Sequence, residues 1–304
     1  MIEIDLAPIL LFTYNRLEET MQTIEALRDN YLADRSDLYI FSDAPKNVNA
    51  KVAVESVRAY IRNVTGFKSV TIIERPENYG LARSIITGVT EIMDRFGKVI
   101  VLEDDLLTAT NFIEFMNQSL NKYEDNQKVW SISGFSFNLR YRDDYSFDGV
   151  FGIRASSWGW ATWRDRWNKV DWQVADYQEF KSNTKSQRVF NKGGSDLSGM
   201  LNDQMNGRIN SWAIRFCYAQ FKNNGYDFFP VKSKVKSIGF GGDATNTRGM
   251  GSRFETTLDE SAKRRFLFPD RAIVEPYILR QFRKRFSIIT RIKYKILKMF
   301  LKHH

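Results

Sequence analysis

The chain has 304 residues, with 45 Lys and Arg against 36 Asp and Glu for a formal net charge of +9, and a single cysteine. That length suffices for one large domain or two ordinary ones with a full core, while the lone Cys217, in W-A-I-R-F-C-Y-A-Q-F, excludes an internal disulfide or a cysteine-rich zinc site and reads as a small core residue. The charge is concentrated: from Glu275 onward nine basic residues face one acid, so the body before them is nearly neutral, which argues against a nucleic-acid-binding body.

From the N-terminus, two periods alternate. Pro8 to Tyr14 (P-I-L-L-F-T-Y) is an apolar run of strand length, and Leu17, Met21, Ile24 and Leu27 follow at helical spacing. Leu38 to Ser42 is a second strand, followed by a helix with Val54, Val57 and Ile61 on one face. Val70 to Ile73 is a third, followed by a helical Leu81 to Met93, and Val99 to Leu102 is a fourth. Such apolar runs, each separated by a helix, predict parallel strands covered on both faces. Open sheets of this kind bind ligands beyond the carboxyl ends of the strands. The loops there read T-Y-N-R (13–16), S-D-A-P-K-N (42–47), E-N-Y-G-L-A-R (77–83) and E-D-D (103–105).

The second half is aromatic and glycine-punctuated. It contains a strand-like V-W-S-I-S-G-F-S-F (129–137), F-G-I-R-A-S-S-W-G-W-A-T-W-R-D-R-W (151–167), a helical run at 211–221 and a glycine loop I-G-F-G-G-D-A-T-N-T (238–247). With no linker between the halves, 1–128 and 129–274 read as two lobes of one domain, followed by a basic tail, 275–304. Trp158, Trp160 and Trp163 offer faces on which pyranose C–H groups pack. Trp158 and Trp160 share a face if the strand is extended, and core packing is the expected role of at least one of the three.

The adjacent Glu103, Asp104 and Asp105 repel one another, which a fold tolerates at a solvated chain end or where a cation offsets the repulsion. One account is a solvated turn whose acids precede a helix from Asn111 to Glu124. The other is a hard divalent cation, Mn2+ or Mg2+, which takes one or two carboxylates together with phosphate oxygens and water. Asn15, Arg16 and Arg83 on the same edge suit a nucleotide diphosphate, and Asp43 offers an acceptor for a base N–H.

The ordered set P-I-L-L-F-T-Y-N-R, S-D, E-N-Y-G-L-A-R-S-I and V-I-V-L-E-D-D resembles the nucleotide-sugar-binding half of GT-A fold glycosyltransferases. The E-D-D form is similar to that of N-acetylglucosaminyltransferase I and its bacterial relatives, and S-S-W-G-W-A-T-W resembles the aromatic stretch of bacterial members that build surface polysaccharide. The resemblance covers about residues 7 to 246 and implies a Rossmann-like, mostly parallel α/β sheet flanked by helices, with an aromatic acceptor lobe. It implies an inverting, metal-dependent transfer of a hexose or N-acetylhexosamine from a nucleotide diphosphate sugar, UDP-linked above all, to a saccharide acceptor.

By that resemblance Asp105 is the direct metal ligand, Asp104 lies near the ribose and metal, Glu103 near the donor sugar and Asp43 at the uracil, with Thr13, Tyr14, Asn15, Arg16, Asn78, Gly80 and Arg83 on the donor. Asp203, in M-L-N-D-Q-M-N-G, matches the place of the general base, with Asp196 as the fallback and a turn or capping acid as the alternative. The acceptor would meet Trp158, Trp160 and Asp243. Relatives often carry a histidine after the late glycine loop; here G-G-D-A-T-N-T has none, and Asp243, Asn246 or water would complete the metal shell.

In the tail, Ile278, Phe282, Phe286, Ile289, Ile292, Ile296 and Phe300 recur every three or four residues among Arg and Lys. This predicts a basic amphipathic helix that lies on an anionic membrane surface, or whose apolar stripe packs on the protein's own core. With no secretion signal and no apolar window long enough to span a bilayer, the expected place is the cytoplasm, at the inner face of the membrane beside a lipid-linked acceptor. Two other functions compete with this reading. A sugar nucleotidylyltransferase needs a glycine-rich loop after the first strand, where this chain has T-Y-N-R, and a basic nucleic-acid-binding protein needs stacking aromatics within a basic body.

Overall fold

A computed structural model describes residues 6–239, 254 and 256–301, the last seven by their backbone only. The first four strands, β1 (Ile9–Thr13), β2 (Asp37–Ser42), β3 (Ser69–Glu74) and β4 (Lys98–Glu103), alternate with helices α1 (Leu17–Arg28), α2 (Lys51–Ile61) and α3 (Gly80–Phe96). Then come β5 (Leu106–Thr108), α4 (Phe112–Tyr123), β6 (Val129–Ser133), β7 (Gly149–Gly152) and β8 (Trp160–Trp163). Helices α5 (Arg164–Trp167), α6 (Tyr177–Ser182), α7 (Thr184–Phe190), α8 (Leu197–Met205) and α9 (Trp212–Lys222) follow, with α6, α7 and α8 packed on α9 as a cap, before β9 (Tyr226–Pro230), β10 (Val235–Ser237), α10 (Pro276–Arg285) and α11 (Ile288–Leu301).

Eight strands form one sheet in the order β3-β2-β1-β4-β8-β6-β9-β7. The pairs β3·β2, β2·β1 and β1·β4 are parallel, and β8 runs antiparallel to both β4 and β6. Strands of both halves thus share one sheet. Strands β1 and β4 are apolar from Ile9 to Phe12 and from Val99 to Leu102 because both faces are covered. Ile9, Leu11, Ile100 and Leu102 enter one core, and Leu10, Phe12, Val99 and Val101 the other. Each such side chain removed from water contributes about 1.5–3 kcal/mol. The short antiparallel pair β5·β10 lies directly after the E-D-D turn.

The tail departs from a single surface helix. It breaks after Phe286, and Ser287 caps the helix that follows, its hydroxyl accepting from Thr290 N–H at 3.2 Å. In α10, Ile278 and Phe282, with Phe286 just beyond its end, are buried in the core against Phe137 and Phe229. Core packing therefore accounts for the first part of the stripe, because it covers the Phe137 and Phe229 rings. In α11, by contrast, Ile288, Ile289 and Ile292 are 59 %, 82 % and 53 % exposed. Among the described residues no helix is long and apolar enough to cross a membrane.

Candidate active site

Strands β1, β2 and β4 end at one edge of the sheet, and the loops that follow them form one wall of a cleft of about 1210 Å³. The N-terminal turn of α3 continues that wall through Asn78, Gly80, Leu81 and Ser84. The facing wall carries Ser156, Ser157 and Trp158, then Asp196 and Asp203 of the cap, then Phe286, Arg291 and Tyr294 of the tail.

The E-D-D turn is held in place by α1. Thr23 Oγ1 donates to Asp104 O at 3.0 Å and accepts from Leu106 N–H at 3.1 Å. Tyr14 N–H donates to Asp104 Oδ2 at 3.3 Å, and the Arg16 guanidinium pairs with Asp104 and, at 3.1 Å, with Asp105. Burial, then the neighbouring Asp105 and Asp104, push Glu103 up to about 8. Burial also raises Asp104, to about 6, with Arg16 opposing the shift. Burial works against the charge on Arg16, but Asp104 and Asp105 outweigh it and hold the guanidinium above its ordinary value. Three carboxyl groups crowded beside one arginine raise one another in this way, and such crowding is the electrostatic condition that a further cation relieves.

Most of the other expected donor residues gather here. Thr13, Tyr14, Asn15 and Asp43 line the cleft. Thr13 Oγ1 donates to Phe41 O at 3.4 Å, and the Tyr14 hydroxyl accepts from Lys46 N–H at 3.1 Å. Asp43 is engaged by the fold itself, accepting from Ala44, Tyr79 and Gly80 N–H at 3.0, 2.8 and 2.8 Å and from Asn78 Nδ2 at 3.1 Å. It therefore anchors the start of α3, and a base N–H would have to share oxygens that are already engaged. Arg83 departs from expectation. It turns outward, pairs with exposed Glu77 at 2.9 Å and lies over the Tyr79 ring at 3.7 Å, because helical spacing puts Ser84, not Arg83, toward the cleft.

The tryptophans separate. Trp158 lines the cleft, edge-on to Phe135 at 4.7 Å and Phe254 at 5.2 Å. Trp160 is 1 % exposed and stacked 4.6 Å from Trp212 in the core, so it cannot meet an acceptor. The reason is Gly159, whose φ of +56° breaks the strand alternation that would have put both rings on one face. Trp163 is likewise buried. Asp203, near the end of α8, is half-exposed and accepts through Oδ1 from Arg208 Nε at 2.7 Å. Asp196 is bound more firmly: Arg154 grips both its oxygens at 2.7 and 3.2 Å and keeps its carboxyl below the usual range despite burial.

The start of the late glycine loop meets the E-D-D turn. Ile238 N–H donates to Asp105 O at 2.9 Å, and Gly239 lies so close that a Cβ there would stand 2.6 Å from Asp105 Cγ. Only glycine fits that approach. Asp243 and Asn246 lie outside the described residues. Among those described, no group of three or more His, Cys, Asp or Glu is arranged to hold a metal. Two hard carboxylates at the rim of a cleft are nevertheless a fitting set for a Mg2+ or Mn2+ ion that brings phosphate oxygens and water as its remaining ligands.

No protein-family model matches this chain, and no curated protein does. Among solved structures, it is similar to a mannosyltransferase from Pyrobaculum calidifontis in complex with GDP-Man and Mn2+, at 12 % identity over 73 % of this chain and 72 % of that one, TM-score 0.38. It is also similar to S. aureus TarS, at 9 % identity over 84 % of this chain but 41 % of that one, TM-score 0.40. A third is mouse xyloside xylosyltransferase 1 in its apo form, at 11 % identity over 74 % and 84 %, TM-score 0.35. Likeness at this level sets neither substrate nor mechanism.

Three contributors to the site were not singled out from sequence. The first is Arg154, through its grip on Asp196. The second is Asp227, which is buried in β9, accepts from Ser131 Oγ at 2.7 Å and from Ser156 N–H at 3.2 Å, and so fixes the S-S-W loop; its signal was an acid inside the apolar run Y-D-F-F-P. The third is the wall made by Arg291 and Tyr294, which no periodicity connects to the cleft.

Proposed function

We propose that this chain is an inverting glycosyltransferase that moves a hexose or N-acetylhexosamine from a nucleotide diphosphate sugar, UDP-linked, to a saccharide acceptor of surface-glycan assembly. The observation that carries the reading is a single cleft joining the E-D-D turn at one end to Trp158 and two cap carboxylates at the other. Asp105, with Asp104, would hold a Mg2+ or Mn2+ ion, which when bound stabilises the charge of the departing diphosphate. Arg16 and Asn15 orient the diphosphate, and Glu103 faces the donor sugar. Trp158 packs against the acceptor ring and shields the reacting carbon from water. Asp203 takes the proton of the attacking hydroxyl through Oδ2, since Oδ1 is held by Arg208.

The membrane reading is supported by Ile289, 82 % exposed on a helix with Lys293, while Ile288, Arg291 and Ile292 of the same helix line the cleft. Each basic residue near an anionic leaflet contributes about 1 kcal/mol. A lipid-linked saccharide at the inner face of the cytoplasmic membrane would reach the cleft beside this helix. Incubating the pure protein with a panel of nucleotide sugars, with and without Mn2+, tests the activity. Metal-stimulated nucleotide release with one donor supports it, and no release with any donor and a range of glycan acceptors refutes it. Sedimentation with anionic liposomes, weakening as salt rises, tests the surface.

A further inference from the structure

The cation that meets the E-D-D carboxylates, among the described residues, is Arg16. Its Nη1 donates to Asp105 Oδ2 at 3.1 Å while its Nη2 pairs with Asp104 Oδ1, so one guanidinium bridges two residues. The bridge is fixed from both sides. Arg16 stands at the start of α1, and the same helix holds the acidic turn through Thr23. The loop before it reaches Asp104 Oδ2 through Tyr14 N–H. Arg16, between β1 and α1, thus joins two acids eighty-eight and eighty-nine residues away at the end of the neighbouring β4.

Under the metal-dependent reading, on which this inference rests, those same oxygens would ligate the divalent ion. A guanidinium and a divalent cation cannot both hold them at bonding distance, because their own repulsion at such separations is large. We propose that Arg16 is an internal stand-in for the cation, a positioning residue that offsets part of the charge of Asp104 and Asp105 in the cation-free protein and competes with a bare metal ion for their oxygens. It gives way when the ion arrives with a nucleotide diphosphate, whose oxygens then receive the guanidinium fork. The bidentate geometry suits phosphate as well as carboxylate, so the arginine exchanges one anion for another and is never left unpaired. Metal and nucleotide must then bind with positive coupling, and the coupling is reciprocal.

Mn2+ binding to the full chain, measured by electron paramagnetic resonance with and without UDP, tests this in the native protein, Arg16→Gln and Arg16→Lys. In the native protein UDP is expected to tighten Mn2+ binding by about tenfold or more. Arg16→Gln is expected to bind Mn2+ alone about tenfold tighter than the native protein, to bind UDP more weakly and to show reduced coupling. Arg16→Lys keeps the charge but not the two-armed bridge, and is expected to fall between. If Arg16→Gln, with a native circular dichroism spectrum, binds Mn2+ alone no tighter than the native chain, the inference is overturned. If that variant does not fold, an unchanged Mn2+ affinity in Arg16→Lys overturns it. Mn2+ binding to none of the three even with UDP brings down the metal-dependent reading and this inference together, whereas UDP-dependent Mn2+ binding that ignores Arg16 brings down only the inference.

Discussion

Replacing Phe282 by alanine separates a docked tail from a free one. Phe282 is 6 % exposed, and its ring centroid lies 4.8 Å from Phe229 and 5.6 Å from Phe137. Truncating a buried phenylalanine costs about 3–5 kcal/mol, the transfer term plus the cavity left behind. For a chain of this size each kcal/mol lowers Tm by roughly 2–4 °C, so the drop is on the order of 10 °C. Ile289→Ala is the control: at 82 % exposure it is expected to change stability by no more than about 0.5 kcal/mol. Thermal melts followed by circular dichroism give both numbers. A Phe282→Ala melt within about 2 °C of the native chain, or an Ile289→Ala melt as low as that of Phe282→Ala, refutes the reasoning. A functional consequence follows from the connection. Ser195 Oγ donates to Phe286 O at 2.7 Å, and Arg154 lies 3.8 Å over the Phe286 ring. Loosening α10 therefore withdraws Arg291 from the cleft wall, and removal of everything from Glu275 onward is expected to impair transfer even to a soluble acceptor.

Asp105→Ala is expected to abolish transfer and leave the melting temperature near native, because it removes the proposed metal ligand at the rim rather than a core group; near-full turnover at saturating donor would sink the metal reading. Asp203→Asn is expected to lower the rate by about 10²- to 10⁴-fold with donor affinity almost unchanged, and a collapse of donor binding would assign Asp203 to the nucleotide or the fold instead. The Arg154–Asp196 pair predicts a pH effect on stability. Its carboxyl is depressed in the folded chain, so the stabilisation is present above the unfolded value of about 3.9 and is lost as pH falls through the lower folded value. Melts between about pH 6 and pH 3 should therefore show a flatter profile for Asp196→Asn than for the native chain, and parallel profiles would argue that Asp196 carries no such linkage.

The parallel half was legible in outline, because a strand covered on both faces is apolar along its middle and a helix on one face must repeat every three or four. Those two periods located β1 to β4 and hence the loops at their ends, including the E-D-D turn. The tertiary structure decided what periodicity cannot carry. Whether Trp158 and Trp160 share a face depended on one positive φ at Gly159, and whether Arg83 faces the cleft depended on the rotation of α3, which starts on Asp43. The same apolar stripe in the tail serves core in α10 and surface in α11, since a repeat records that a face is apolar but not what will cover it. The pairing of Arg16 with Asp104 and Asp105 belongs to the same class: an arginine and two adjacent aspartates far from it in the chain meet because β1 and β4 are neighbours in the sheet, and it is that adjacency, not any local pattern, that makes them one electrostatic unit.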